Sequence, residues 1–133
     1  MEKVAYGYTT NLGSIDFNAA IDKVTEALKT QGFGVLTEID VKATMKKKLD
    51  VDFRQYKILG ACNPPFAYQA LQAEPDIGLL LPCNVIVRQD GEDVVVSFVD
   101  PMAMFAVANR PDMAPLAQQV RARLARAAES LRD

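Results

Sequence analysis

The hydrophobic positions of this chain switch between strand-like and helical periods, and the switches mark out its elements. Val4 to Thr9 alternates as a first strand, and after the turn around Gly13 the residues Phe17, Ala20, Ile21, Val24, Ala27 and Leu28 recur on one face of a helix. Ser14 or Asp16 can cap that helix, and Gly32 stands where a left-handed residue would end it near Gln31. Phe33 to Ile39 reads as the next strand. Asp40 can then cap a short helix whose Val41, Met45 and Leu49 lie four residues apart and which also carries Lys46, Lys47 and Lys48.

Tyr56 to Cys62 is again strand-like, and Asn63-Pro64 starts a helix by supplying a side-chain acceptor and a preset φ at the first helical position. That helix is expected to run from Pro64 to about Ala73, followed by a turn over Glu74 to Gly78. Asn84 to Gln89 and Val94 to Val99 flank Asp90-Gly91, the signature of a tight hairpin, so these two strands are predicted to be antiparallel neighbours. Asp100-Pro101 repeats the cap-plus-proline pattern ahead of a short helix containing Met102, Met104 and Phe105. Asp112 is expected to cap the last helix, with the apolar stripe Leu116, Val120, Leu124, Ala127 and Leu131. The alternation predicts an α+β fold: a mixed, mainly antiparallel sheet with helices packed on one side. No repeat, low-complexity segment or Gly/Ser linker divides the chain, so residues 1–133 read as a single domain.

Composition narrows the chemistry. Half of the 133 residues are hydrophobic and 24% are charged, an ordinary globular balance that can bury a core without disulfide staples. The net charge of −2 lacks the basic excess that drives binding to DNA or RNA, so no nucleic-acid partner is expected. No stretch approaches the length of a membrane span and the N-terminus is not signal-like, so the chain reads as cytoplasmic. There is no histidine, hence no imidazole to serve as general base, proton shuttle or metal ligand. Lys46 to Lys48 read as solvated cations near a helix C-terminus, and Asp50 and Asp52 as acids of a polar turn. Gly32-Phe33-Gly34 matches no phosphate-binding loop.

What remains are the only two cysteines, in matched contexts: Cys62-Asn63-Pro64 and Pro82-Cys83-Asn84. Each falls where a strand meets a loop, and the spacing between them is not that of a CxxC dithiol or a zinc knuckle. Cys62 just before a helix start is a place that favours thiolate. Three readings follow. A soft metal ion or haem-type group could be held by Cys62 and Cys83 with Met102 or Met104. Cys62 could be the nucleophile of a thiol-dependent redox or transfer enzyme, with Cys83 resolving it. Both thiols could instead be small hydrophobes of the core.

The segments Asp40-Val41-Lys42-Ala43-Thr44, Ile58-Leu59-Gly60-Ala61-Cys62-Asn63-Pro64, Glu74 to Val85 and Asp100-Pro101 together resemble the bacterial and archaeal family called domain of unknown function 302, over nearly the whole chain. The resemblance implies a single α+β domain similar to the TATA-binding-protein-like arrangement of sheet and helices, assembled as a homodimer, with no established activity. The family's motif positions fall on Cys62, Asn63, Pro64, Pro82, Cys83 and Asn84, and bring no catalytic role with them. The expectation is a homodimeric, non-enzymatic module with a binding corner at Cys62, Asn63, Cys83 and Asn84 that takes a soft metal or a thiol-reactive ligand.

Overall fold

A computed structural model describes residues 2–132. β1 (Glu2–Val4) and β2 (Gly7–Asn11) form an antiparallel hairpin where the alternation alone predicts one strand. Val4, Tyr6 and Tyr8 carry the period of two straight through the turn, and no Asn-Gly or Asp-Gly pair announces it. α1 (Phe17–Thr30) follows, its N-terminus capped by Asp16, whose carboxylate accepts from Ala19 N–H at 3.0 Å. All six apolar positions read from the sequence are buried on its inner face. Gly32 ends the turn beyond it at φ +84°.

β3 (Gly34–Asp40) leads directly into α2 (Val41–Leu49), capped by Asp40 at 2.9 Å from Ala43 N–H. No residue of α2 is buried. Its lysines stand in the last turn, as the dipole favours, and Lys46 pairs with Asp50 at 2.9 Å. β4 (Tyr56–Cys62) and α3 (Pro64–Ala73) match their predicted bounds. The expected turn after α3 is a six-residue 3-10 helix, Pro75–Leu80. β5 (Cys83–Asp90) and β6 (Asp93–Val99) form the predicted hairpin, with Gly91 at φ +62° in its turn.

α4 (Pro101–Ala108) is capped by Asp100, 2.9 Å from Met102 N–H. Asp112 does not cap the last helix. A 3-10 turn, Pro111–Met113, intervenes, and the Asp112 carboxylate instead takes two hydrogen bonds from Arg110, at 3.0 and 2.9 Å. That bidentate pair occupies the acid, and α5 runs from Ala114 to Ser130.

The strands make one sheet in the order β1-β2-β6-β5-β4-β3, with every neighbouring pair antiparallel. Cys83, Val85 and Val87 on β5 are buried, whereas Asn84, Ile86 and Arg88 between them face away. Paired rows continue the buried face across the sheet through Leu59, Val85, Phe98 and Tyr8. α1 and α5 cover this face through Val24, Leu28, Val120 and Leu124. A second, smaller core of Ala70, Ile77, Phe105, Met113 and Ala117 joins α3, the first 3-10 helix, α4 and α5. No helix among the described residues is long and apolar enough to cross a membrane.

Candidate functional site

Where the two cores meet they leave a cavity, and both cysteines open onto it. β4 delivers Cys62 at its end and runs through Asn63 into α3, whose first helical bond joins Ala67 N–H to Asn63 O at 2.9 Å. Asn63 is the N-cap residue by position but not by side chain. Pro64 and Pro65 fill the first two helical positions and have no N–H to serve, so the amide turns away. Its Nδ2 donates to the Gln31 carbonyl at 3.3 Å, tying the start of α3 to the end of α1. A Cβ on Gly32 would lie 3.0 Å from that nitrogen, so the tie depends on a residue that has none.

β5 brings Cys83 opposite Ala61, the residue before Cys62, so the two thiols lie on adjacent strands close to one end of the sheet. The cavity between them measures about 330 Å³. Phe33, Phe66, Leu81, Phe105 and Val120 supply much of its wall, and almost no polar atom reaches its surface. Thr37 and Pro82 line one side and pack against Gly60 behind it: a Cβ on Gly60 would collide with Thr37 Oγ1 and come within 2.7 Å of Pro82 Cγ. A larger depression of about 510 Å³ beside β2 and β5 is walled by Thr9, Asn11, Arg88 and Asp90 and holds neither cysteine.

Both cysteines are free thiols, Cys83 buried and Cys62 half-buried. Burial, and after it the charge of Cys62, push the Cys83 thiol up to about 11. Burial also raises Cys62. The sequence context of Cys62 favours thiolate, yet loss of hydration outweighs the helix start here, and prolines at the first two positions have removed the N–H groups that would have stabilised the anion. The Tyr8 hydroxyl, near enough to Cys83 to be influenced by its charge, is buried with no hydrogen-bond partner among the described residues, and burial, then the nearby Asp100, raise it to about 12. Asp100 is held by Met102 N–H and by Arg121, whose Nε lies 3.5 Å away.

The residues expected at the corner are therefore split. Cys62, Asn63 and Cys83 line the cavity. Asn84 does not: it pairs with Gly60 on the outward face of the sheet and is exposed. Met102 lines a separate depression with Asn109 and Arg110, and Met104 packs against the two cores. Neither methionine meets the thiols in the cavity, because α4 turns its Phe105 toward that space instead. Among the described residues no group of three or more His, Cys, Asp or Glu side chains is placed to hold a metal ion. Asp50 and Asp52, the acids of the polar turn, both lean on Lys46, at 2.9 and 4.0 Å. The aromatic wall escaped sequence reasoning because Phe33, Phe66 and Phe105 come from three distant segments, and only their packing shows that they leave a space.

A family model described as "Domain of unknown function DUF302" matches residues 8–131. Comparison with curated proteins gives no match. Among solved structures the chain is similar to an uncharacterized conserved DUF302 protein from Bacillus stearothermophilus, with 30% identity, 93% of this chain and 96% of that chain covered, and a TM-score of 0.85. The segments around both cysteines lie within the matched region, and the chain belongs to the family described as domain of unknown function DUF302.

Proposed function

We propose that this protein is a non-enzymatic, cytoplasmic, homodimeric binding module that takes one small apolar ligand in the cavity between Cys62 and Cys83. The observation that carries the reading is the cavity itself: about 330 Å³, within the range of small-molecule sites, with apolar walls and two soft sulfur atoms as its distinctive chemistry. Thiols held in the protonated form act as polarizable walls rather than nucleophiles, which favours a ligand held without covalent chemistry. The reducing cytoplasm keeps such thiols free.

Butylbenzene is a suitable probe. Titrated into the protein, it is expected to give saturable amide shifts in NMR spectra at Cys62, Phe66 and Cys83. Ala67→Leu, which fills the half-buried wall opposite the sheet, is expected to abolish those shifts while leaving the rest of the spectrum in place. The double variant C62S/C83S should weaken binding and change folding stability by no more than about 1–2 kcal/mol. Absence of saturable shifts in the unsubstituted protein would overturn the reading.

A further inference from the structure

An apolar cavity with few polar atoms cannot orient a ligand by its walls, so orientation has to come from the rim. On the α5 side a basic edge stands just outside the lining residues. Arg123 stands one turn beyond Val120, a lining residue, and its guanidinium carbon lies 5.5 Å from the centre of the Phe66 ring, another lining group. Its Nη1 donates to Gln31 O at 3.4 Å, the same carbonyl that Asn63 Nδ2 reaches at 3.3 Å. Arg126, three residues on, extends the basic edge through Nε to Gln31 Oε1 at 3.3 Å. Both guanidinium side chains are exposed, and among the described residues neither is paired with a carboxylate. A guanidinium has five N–H donors, and the Gln31 carbonyl occupies a single Nη1 donor of Arg123.

Two oppositely suited regions thus adjoin at Phe66: an apolar cavity and a cation with no carboxylate partner among the described residues. We propose that the cavity takes a small amphipathic carboxylate, its aliphatic tail between Cys83 and Phe105 and its carboxylate on the Arg123 guanidinium. The proposal rests on the reading of the cavity as a ligand site and adds the class of ligand. An apolar cavity of about 150 Å³ accepts benzene. One about twice as large accepts an alkyl chain on the order of ten carbons, the scale of a medium-chain fatty acid. The planar fork of Arg matches a carboxylate through two parallel hydrogen bonds, which a hydroxyl head group cannot reproduce.

Calorimetric titration of the full chain with hexanoate, octanoate, decanoate and octanol tests this. Affinity is expected to rise about fourfold per added methylene as each is withdrawn from water. Octanoate is expected to bind about tenfold more tightly than octanol, as a charge-assisted pair requires. R123Q removes the charge and keeps a polar side chain, so it should remove the octanoate advantage and leave octanol affinity unchanged, and R123K should retain part of it. Equal binding of octanol and octanoate would overturn the carboxylate assignment and leave the apolar cavity standing. Loss of both ligands in R123Q would also overturn it, by making Arg123 a structural support. Binding of neither by the unsubstituted protein would overturn the cavity reading together with the carboxylate.

Discussion

Cys83 and Tyr8 hold protons that exposed groups of the same kind would release. The folded-state values are raised, to about 11 for Cys83 and about 12 for Tyr8, chiefly by burial. For an acid raised in this way the folded chain keeps a proton that the unfolded chain loses. The stability tied to it is complete below the unfolded value and disappears as pH rises through the folded one. Stability is therefore expected to fall between about pH 9 and pH 11 through Cys83, by on the order of 2–3 kcal/mol. Urea denaturation followed across that range would measure it, and C83A should flatten the decline. A midpoint unchanged to pH 11 in the parent would contradict the burial of this thiol. The residue scale also shows what a tripeptide leaves open. Cys62-Asn63 and Cys83-Asn84 look alike as text, but strand parity decides which side chain faces the core. On β5 it points Cys83 inward and Asn84 outward, whereas Asn63 lies past the end of β4 and turns toward Gln31.

At the scale of elements, the strand pair β3–β4 and the approach to β5 are fitted around Gly60. A side chain there would strike Thr37 across the pair and Pro82 from the incoming strand. G60A is expected to cost about 1–3 kcal/mol, the usual range for overpacking. Because Thr37 and Pro82 both line the cavity, it should also weaken butylbenzene binding. Adding T37A removes the oxygen that a new methyl would meet, so the double variant should recover part of the loss, which a double-mutant cycle in urea would detect. Additive losses would contradict this account of the contact. Much at this scale was legible in the sequence. Asp16, Asp40 and Asp100 cap the helices they precede, and Asp90-Gly91 turns the hairpin, because such signals act over a few residues. Asp112 was not, since the pull of Arg110 depends on how the chain folds back at Pro111 rather than on helix-start chemistry.

At the scale of the whole molecule, one end of the sheet is left with unsatisfied surface. β3 is an edge strand with Leu36 and Ile39 exposed, α2 buries none of its residues, and Leu49, Val51 and Phe53 are exposed around it. Leu49 is 66% exposed, and with its neighbours it offers apolar side chains that a partner would cover. The proposed homodimer is expected to form across this region. Sedimentation should give a dimer for the parent and a monomer for I39D/L49D, while a parent that sediments as a monomer would remove the dimer from the account. The overall α+β architecture could be read from element order and one hairpin, and the inner stripe of α1 was fully visible in its spacing. The cavity could not be read so, because it is a mismatch between two cores whose walls come from β3, β4, β5, α3, α4 and α5.

The central claim is that an accessible apolar space lies against Cys62 and Cys83, and a crystal of the protein held under xenon pressure tests it most directly. Xenon enters apolar cavities and scatters strongly. The account predicts xenon density among Phe33, Phe66, Phe105 and Cys83. A site closed by repacked side chains, with no xenon between the two cysteines, would contradict it.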